Sequence, residues 1–381
     1  MGTGSLGVGM VGYAFMGRAH SQAWRTAPHV FDLPLTPRLA AICGRDQAKV
    51  ARAAERLGWA AWETDWKRLV ARDDVQLVDV CTPGSSHAEI SIAALEAGKH
   101  VLCEKPLANT VTEAEAMAEA AERAARRGVR AMVGFNFRRV PAVAFARELI
   151  AAGRLGTIRQ VRGVYLAAHA ADPQTPLAWR HQVEEAGSGA LGDLGSHVID
   201  LAQYLIGDRI AGVAALTETF TRERPLPGPA GAAGARGPVT VDDAALFIAR
   251  FAGGATGSFE ATRVASGHGE DLRVEVNGES GSLVFDLPRF NELRWYAAGE
   301  PATGGFRRIQ VTGAEHPYAG AWWHGHTIGY EHTFTHQVRD LLEAVAAGRD
   351  PVPSFADGLQ VQKVLDAVLR SANAGAVWTE V

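Results

Sequence analysis

Asp193 and His197 are the residues of this 381-residue chain whose types and spacing best fit proton transfer. Their i, i+4 spacing puts both side chains on one face of a helix predicted over residues 190–206, with Asp200 one turn further on. A histidine can take a hydroxyl proton near neutral pH while a hydride leaves the carbon, and a carboxylate can hold the imidazole. The pattern indicates oxidation of an alcohol. The alternative is a buried helix whose polar residues only satisfy neighbouring loops, although the preceding glycines permit close approach of another segment.

A nucleotide pocket with one lysine is predicted from two further motifs. Gly12-Tyr13-Ala14-Phe15-Met16-Gly17 follows an apolar run that predicts the first strand. Small residues there would let the backbone approach a pyrophosphate, and the next helix would offer it unpaired N–H groups. Glu104-Lys105-Pro106 closes a later apolar run, so Lys105 would face the same crevice. An ordinary strand-to-helix turn is the alternative, because Ala14 stands where the second glycine is expected.

The elements that must position these residues fall into two predicted domains. Residues 1–136 alternate short apolar runs with helical patterns, which predicts an α/β, doubly wound parallel sheet of the Rossmann type. The predicted strands are Leu6–Val11, Arg38–Cys43, Leu77–Cys81, His100–Cys103 and Ala131–Phe135. Thr112 and Glu115 have the spacing of a capping box, which predicts a helix start.

Residues 137–381 predict a substrate-binding and oligomerisation domain of α+β type with a largely antiparallel open sheet. Its predicted strands are Ile158–Tyr165, Val213–Thr221, Ala244–Phe251, Ala255–Arg263, Leu272–Asn277 and Ser282–Phe285. Its predicted helices include Tyr330–Ala347 and Gly358–Ala374. The segment Pro225–Pro238 is rich in Pro, Gly and Ala and predicts a mobile surface loop.

The composition fits a cytoplasmic enzyme. The net charge of −4 gives no general attraction for nucleic acid or anionic membranes. Cys43, Cys81 and Cys103 lie in or at the end of apolar runs, which favours buried thiols in a reducing compartment over disulfides. No apolar stretch is long enough to span a bilayer, and the N-terminus has no export signal.

A zinc site is considered and not predicted. Its candidate ligands are His324, His326, His332 and His336. His332 and His336 share a helix face, but no cysteine is near and Glu331 points off that face. We therefore expect no metal, and we interpret these histidines as part of a pocket rim.

Taken together, the motifs resemble the oxidoreductases related to glucose-fructose oxidoreductase, inositol dehydrogenase and MocA (the Gfo/Idh/MocA family). The resemblance runs from the Gly-rich turn through residues 82–87, 104–106, 134–136 and 189–197. Residues 186–193, 197–200 and 354–358 resemble the sugar dehydrogenase branch that includes levoglucosan dehydrogenase. The resemblance implies a dinucleotide domain, a second domain whose open sheet often forms an oligomer interface, and chemistry at a ring carbon of a sugar, anhydrosugar, inositol or related polyol.

The resemblance also implies residue roles. Lys105 would lie beside the nicotinamide and the reacting hydroxyl, His197 would be general base and acid, and Asp193 its partner or a substrate ligand. Trp179, Arg180 and His169 would line the substrate pocket. The implied cofactor contacts are Gly12, Ala14, Phe15, Met16, Gly17, Gly44, Arg45, Thr82, Pro83, His87, Glu104, Lys105 and Asn136. Three positions depart from the family pattern: Ala14 replaces Gly, Gly84 replaces Asn, and Ala167-Ala168-His169 replaces Gln-Asp-Trp.

The cofactor is predicted to be NADP or NAD, with NADP slightly favoured. An NAD-selective domain carries an acidic residue at the end of the second strand, and Gly44 followed by Arg45 stands there. Arg45 can pair with a 2′-phosphate, whereas a small shift of the strand end would bring the carboxylate of Asp46 to the ribose.

The sequence thus predicts an NAD(P)-dependent dehydrogenase or reductase of a cyclic sugar or polyol. We expect a homodimer or homotetramer, because the open sheet needs a cover. Two other functions stay open. A glycoside-cleaving relative would oxidise a ring carbon transiently and return the hydride at each turnover, without net NADH or NADPH. A cofactor-sensing regulator would have no need of Lys105, Asp193 and His197 together.

Overall fold

The computed structural model describes residues 4–228, 234–299 and 304–381, and their packing divides the chain into two units. The first unit takes the chain up to Arg139 and also Ile328–Leu359. The second takes Val140–Thr327 and Gln360–Val381. The packing therefore does not follow a single cut after residue 136. Phe334 and Leu341, from the returning segment, lie in the same apolar core as Met10 and Trp24, which explains the difference.

A six-stranded parallel sheet forms the centre of the first unit, with the strand order β3-β2-β1-β4-β5-β6. The strands are β1 Gly4–Val11, β2 Leu35–Cys43, β3 Ala61–Glu63, β4 Leu77–Val80, β5 His100–Cys103 and β6 Ala131–Val133. The helices are α1 Phe15–Val30, α2 Gln47–Leu57, α3 Trp66–Val70, α4 His87–Glu96 and α5 Val111–Ala125. The predicted doubly wound α/β fold is confirmed.

Helix α5 starts two residues earlier than the capping-box spacing predicted. Thr110 is the N-cap, because its hydroxyl accepts the N–H of Glu113 at 3.2 Å. The Glu113 carboxylate in turn accepts the N–H of Thr110 at 3.0 Å. The prediction of Thr112 and Glu115 was wrong because both pairs have Thr-x-x-Glu spacing, and only Thr110 has the extended backbone of an N-cap.

A nine-stranded sheet forms the second unit, with the order β16-β15-β14-β13-β7-β12-β11-β8-β17. It is antiparallel except for the parallel pair β7 and β12. Its strands are β7 Ile158–Ala167, β8 Ile210–Glu218, β11 Ala244–Phe251, β12 Thr256–Thr262, β13 Glu270–Gly278, β14 Gly281–Asp286, β15 Glu292–Ala297, β16 Arg307–Gln310 and β17 Thr379–Glu380. The remaining helices of the chain are α6 Pro141–Ala151, α7 Val183–Ala186, α8 Ser196–Ile206, α9 Tyr330–Ala346 and α10 Phe355–Asn373. The predicted α+β fold is confirmed.

Helix α8 covers one face of this sheet at close range. A Cβ on Gly163 of β7 would lie 3.2 Å from the Cβ of Val198, so the glycine allows the helix to approach the strand. Residues of β11 alternate between buried and exposed, as expected when only one face is covered. Helix α8 is thereby fixed on the sheet by its own apolar side.

The segment predicted as a mobile loop, Pro225–Pro238, is partly regular. Strands β9 Glu223–Pro225 and β10 Arg236–Pro238 pair as an antiparallel ladder, and Leu226 N–H donates to Ala235 O at 2.9 Å. Residues 229–233 of the predicted loop lie outside the described residues. The ladder was not predicted because its two strands have only three residues each and lie in a Pro- and Gly-rich segment.

All three cysteines are free thiols in buried positions, as predicted. Burial raises the pKa of the Cys43 thiol to about 12. Within the described ranges, no helix combines the length and the apolar character that crossing a bilayer requires.

Candidate active site

The Gly-rich turn lies where the strand order of the first sheet reverses, between β1 and β4. Gly12 has φ 104° there, and a Cβ on it would lie 2.5 Å from the carbonyl oxygen of Cys81. A Cβ on Gly17 would lie 2.3 Å from the carbonyl oxygen of Gly12, so helix α1 can begin directly against the strand end. Ala14 is the N-cap of α1 and gives it no side-chain hydrogen bond. This geometry fits a bound pyrophosphate at the helix start.

The loop after β4 is held by its own side chains. The Ser86 hydroxyl donates to the Thr82 hydroxyl at 2.7 Å and lies 3.0 Å from the carbonyl oxygen of Pro83. The ring nitrogens of His87 lie 2.9 Å from Thr82 O and 3.0 Å from Pro106 O. Burial lowers the pKa of His87. These contacts join the Thr82 loop to the Lys105 loop through His87, and its predicted contact with the cofactor stays a prediction.

The surroundings of Gly84 account for the glycine that stands where the family pattern has asparagine. A Cβ at this position would lie 2.2 Å from Oδ1 of Asn109, so the carboxamide of Asn109 occupies the space where a side chain at residue 84 would start. An asparagine at position 84 would collide with it.

Glu104 and Asn136 face inward. Glu104 is 4% exposed, and its Oε2 accepts the N–H of Lys105 at 3.2 Å. Asn136 is also buried, and its amide donates to the Thr333 hydroxyl at 2.8 Å. These hydrogen bonds direct the two side chains to the protein interior. The predicted contacts of both residues with the cofactor stay predictions.

The motif Ser354–Gly358 supports the loop that carries Lys105. The Ser354 N–H donates to the Asp357 carboxylate at 2.7 Å, and the Asp357 N–H donates to the Ser354 hydroxyl at 3.3 Å, which caps α10. A Cβ on Gly358 would lie 3.0 Å from the Cβ of Leu107. The start of α10 therefore packs tightly against the residues that follow Lys105.

Strand β2 ends at Cys43, so Gly44 and Arg45 follow it as predicted. The ring of Tyr13 covers Gly44, and its Cε1 lies 1.9 Å from the place a Cβ would take. Arg45 is exposed. Asp46 is the N-cap of α2 and accepts the N–H of Lys49 at 3.0 Å. The hydrogen bonds from Lys49 lower the pKa of Asp46. The Asp46 carboxylate therefore serves as the N-cap of α2.

In the second unit, the predicted helix over residues 190–206 is not one continuous α-helix. Leu191–Gly195 is a π-helical turn, and the α-helix α8 follows it. A Cβ on Gly192 would lie 2.4 Å from the Ser188 hydroxyl oxygen, which leaves no room for a larger residue in this turn. Single π-turns of this kind occur often at functional sites.

Asp193 and His197 extend from this turn and from α8. Asp193 is half-buried, whereas His197 is only 6% exposed. The ring centre of Tyr165 on β7 lies 6.0 Å from that of His197. The imidazole thus lies at the carboxyl-terminal part of β7, under an aromatic neighbour and with little access to water.

Asp242 fixes this turn and was missed in the sequence. Its carboxylate accepts the N–H of Gly189 at 2.7 Å and of Leu191 at 2.8 Å, and its carbonyl accepts the N–H of Ala190 at 3.1 Å. Burial raises the pKa of Asp242, against the lowering effect of these N–H groups. The aspartate precedes β11 by two residues, and no local pattern marks it.

Buried arginines hold the loop that contains His169, Trp179 and Arg180. Arg263 pairs with Asp243 at 3.0 Å and donates to the carbonyl of Arg180 at 3.0 Å. Asp243 directly precedes β11, and Arg263 directly follows β12. The carboxylate pair Asp242 and Asp243 therefore connects the helix start with the substrate loop that was predicted.

The same loop is supported from β9. Arg224 is fully buried and donates to Ala170 O at 2.6 Å and to Asp172 O at 2.8 Å. His169 and Trp179 remain exposed on the loop surface, and the Arg180 guanidinium lies 4.3 Å from the centre of the Trp179 ring. The exposed aromatic and cationic groups are available to a ligand.

The histidines considered for zinc have other hydrogen-bond partners. Nδ1 of His336 lies 3.0 Å from Arg139 O, and Nδ1 of His332 accepts the N–H of Gly329 at 3.1 Å. Among the described residues, the one group with metal-ligand spacing is buried and consists of His20, Asp79 and Cys81. The Trp24 indole N–H already donates to Asp79 at 2.7 Å.

The predicted site residues thus divide between the two units. The first unit brings together the Gly-rich turn, the Thr82 loop and Lys105 at the carboxyl ends of β1, β4 and β5. The second brings Asp193 and His197 onto a clamped helical segment, and the same pair of aspartates braces the loop with Trp179 and Arg180.

Known proteins share this arrangement over nearly the whole chain. The crystal structure of an oxidoreductase domain protein from Kribbella flavida is 60% identical, with a TM-score of 0.96 and 99% of each chain covered. Levoglucosan dehydrogenase from Pseudarthrobacter phenanthrenivorans is 42% identical over 99% of this chain and 98% of its own length. A structure of levoglucosan dehydrogenase in complex with NADH and levoglucosan has a TM-score of 0.93, with 42% identity and 99% of each chain covered.

Two family models match successive parts of the chain. Residues 6–135 match the oxidoreductase family with an NAD-binding Rossmann fold. Residues 143–284 match the GFO/IDH/MocA C-terminal domain. With the full-length likeness to levoglucosan dehydrogenase, these matches agree with the strand order of the first sheet and the open sheet of the second. The chain belongs to the Gfo/Idh/MocA family and is an NAD-binding oxidoreductase.

Proposed function

We propose that this oxidoreductase transfers a hydride between a nicotinamide cofactor and a ring carbon of a cyclic sugar, anhydrosugar, inositol or related polyol. The observation that carries the proposal is the helical segment with Asp193 and His197, which Asp242 clamps beside a loop with exposed Trp179 and Arg180. An aromatic face packs on the C–H surface of a sugar, and a guanidinium donates to its hydroxyls. The 42% identity to levoglucosan dehydrogenase supports the same substrate class.

The chain's own residues then have the following tasks. His197 takes the proton of the reacting hydroxyl on its imidazole and returns it in the reverse direction. Asp193 orients His197 or binds a neighbouring hydroxyl. The ammonium of Lys105 favours the alkoxide form of the alcohol and polarises the carbonyl oxygen of the ketone. The Gly12–Gly17 turn and the start of α1 would hold the pyrophosphate. When bound, the nicotinamide supplies the hydride acceptor.

Net reduction of the cofactor tests the proposal. The purified chain is incubated with a panel of free sugars, inositols, anhydrosugars and glycosides, each with NAD and with NADP, and absorbance of the reduced cofactor is followed. We expect stoichiometric NADH or NADPH with at least one cyclic polyol or anhydrosugar. Cleavage of a glycoside without net reduced cofactor would favour the glycoside-cleaving alternative. Cofactor binding without turnover of any substrate would favour the regulator.

We propose further that the protein accepts NADP as well as NAD and prefers NADP. The end of β2 presents the exposed Arg45 and no carboxylate, because Asp46 caps α2. A guanidinium at this position can form charge-assisted hydrogen bonds to a 2′-phosphate. The NADH complexes of levoglucosan dehydrogenase support NAD as a cofactor of the family branch.

The ratio of specificity constants for NADP and NAD measures this preference. Arg45→Ala should lower the ratio by roughly tenfold, as expected for the loss of one charge-assisted contact. Arg56→Ala, which removes an exposed cation near the other end of α2, is the matched control and should leave the ratio unchanged. A strong preference for NAD that survives Arg45→Ala would show that another residue lies at the ribose.

We also propose that the open face of the second sheet joins copies of the chain into a homodimer or homotetramer. Leu216, Leu246 and Ile248 are 61%, 48% and 58% exposed on neighbouring strands β8 and β11. Light scattering should give the mass of two or four chains, and Ile248→Glu should lower it. The mass of a single chain for the unchanged protein at micromolar concentration would contradict the proposal.

A further inference from the structure

A buried network of charged side chains lies directly under Lys105. His20 of α1 is 1% exposed, and its Nδ1 lies 3.0 Å from both carboxylate oxygens of Asp79 on β4. Its Nε2 lies 3.0 Å from Oε1 of Glu104. One imidazole therefore connects α1 with the carboxyl ends of two adjacent strands, and the second of these strands leads into Lys105.

The hydrogen-bond partners around His20 fit one arrangement of protons on its ring. Asp79 also accepts the indole N–H of Trp24 at 2.7 Å and the thiol of Cys81 at 3.4 Å. A neutral imidazole has one N–H, whereas the imidazolium has two and can donate to Asp79 and to Glu104 at once. A positively charged His20 satisfies both contacts with its own N–H groups, one to each carboxylate.

Glu104 has no alternative position. Its Oε1 receives His20, and its Oε2 receives the N–H of Lys105 at 3.2 Å. A Cβ on Gly134 would lie 2.8 Å from the same Oε1, so the neighbouring strand end closes the remaining side. The carboxylate is held by His20 and by the N–H of Lys105, and it passes the constraint to the main chain at Lys105.

We propose that His20 is a positioning residue for Lys105, which it fixes by bridging Asp79 and Glu104. This inference goes beyond the proposed function and rests on it, because it uses the activity assigned to Lys105. His20 is only 1% exposed, so its ring has little access to a bound cofactor or substrate. It acts through Glu104 and the peptide N–H of residue 105. The groups that face its ring are Asp79, Cys81 and Glu104, together with the aromatic ring of Phe334 at 5.2 Å between centres.

Burial alone would lower the pKa of His20, but the combined attraction and hydrogen bonding of Asp79 and Cys81 outweigh burial and raise the pKa well above its ordinary value of 6.5. This direction agrees with an imidazolium that donates to both carboxylates.

A double-mutant cycle tests the inference. Turnover is measured for the unchanged protein, His20→Gln, Lys105→Ala and the double variant, each well below its own unfolding temperature. His20→Gln should lower kcat by roughly tenfold or more in the unchanged background, and by less than about twofold when Lys105 is already alanine. Cofactor affinity should stay within about twofold in both. Equal losses in the two backgrounds would show a general structural role and overturn the inference.

His100→Asn is the matched control. His100 begins the same strand β5 at its other end, and its Nδ1 accepts the N–H of Arg130 at 2.9 Å. The variant disturbs a partly buried histidine of the strand without touching Glu104, so kcat should be unchanged.

A second measurement keeps the test independent of activity and of the variant's folding. Nitrogen-15 NMR of labelled histidine in the unchanged protein at pH 8 should show one buried ring with both nitrogens protonated, absent from Glu104→Gln or His20→Gln. A neutral His20 ring at this pH would overturn the inference. If the unchanged protein has no dehydrogenase activity, the proposed function fails, while the NMR result still decides whether the bridge exists.

Discussion

The carboxylate of Asp242 accepts the backbone N–H of Gly189 at 2.7 Å. The two residues are 53 positions apart, and the bond fixes the turn from which the π-helical segment and α8 start. Because the segment carries Asp193 and His197, their direction depends on an aspartate that never needs to meet a substrate. The adjacent Asp243 holds Arg263 and, through it, the loop of Arg180.

This contact leaves no space for a side chain at Gly189. A Cβ there would lie 1.8 Å from the carbonyl oxygen of Asp242, which is a main-chain atom and cannot turn away. Gly189→Ala should therefore lower the free energy of unfolding by at least about 2 kcal/mol, as overpacking does, and should reduce kcat in the fraction that folds. Urea unfolding and steady-state kinetics measure both effects. Gly269→Ala, at a glycine with no atom within 4 Å of its Cβ position, should have neither effect. Equal stabilities of the two variants would contradict the assigned packing.

Lys105 and His197 provide the chemistry in our proposal. Lys105→Ala and His197→Ala should each lower kcat by roughly two to four orders of magnitude while cofactor affinity stays nearly intact, because proton transfer and charge stabilisation act mainly in the transition state. Asp193→Asn should be milder if Asp193 only orients His197. Lys67→Ala and His29→Ala, both at exposed positions, serve as controls. Near-normal turnover of either alanine variant would remove that residue from the mechanism.

Alkaline pH should weaken the contribution of His20 to stability. Its pKa is raised in the folded protein above the ordinary 6.5, through Asp79 and against burial. The folded state therefore holds the proton after the unfolded chain has lost it, and the stabilisation is complete below the ordinary pKa and declines as pH rises through the folded one. The stability advantage over His20→Gln in urea titrations should shrink toward high pH. An advantage that grew with pH would contradict an imidazolium at this position.

Acid should destabilise the first unit through His336. Burial lowers the pKa of this histidine to about 3, so the folded state leaves it neutral while the unfolded chain protonates near the ordinary 6.5. The free energy of unfolding should fall as pH drops from the ordinary pKa toward the folded one, by at most about 1.4 kcal/mol per pH unit from this group. In His336→Gln, urea titrations should show a shallower fall over the same range. An unchanged slope would mean that His336 is protonated in the folded state as well.

Much of the fold could be predicted because local signals agree with it. His100–Cys103, Gln47–Leu57 and Ala244–Phe251 have the predicted bounds, since apolar runs and helical spacing act over a few residues. The π-turn at Leu191–Gly195 was not predicted, and the aspartate that binds its first N–H group, Asp242, lies 51 positions away in the chain.

The inward direction of Glu104 was missed for a similar reason. Its partner His20 stands 84 positions earlier in α1, where it has the spacing of an ordinary helix residue. The roles of Lys105, Asp193 and His197 stay predictions, as does the cytoplasmic location. What the sequence conveys poorly is the set of buried polar partners that decide which way a functional side chain points.

The return of Ile328–Leu359 to the first unit has a consequence for biosynthesis. Phe334, Val338, Leu341 and Leu342 fill the core beside α1, yet they leave the ribosome only after some 190 residues of the second unit have been made. Until then, the nascent cofactor-binding sheet has an uncovered apolar side. An exposed apolar surface of this kind promotes aggregation of the growing chain. We therefore expect this protein to depend on chaperones during translation more than a protein whose nucleotide domain is one uninterrupted segment.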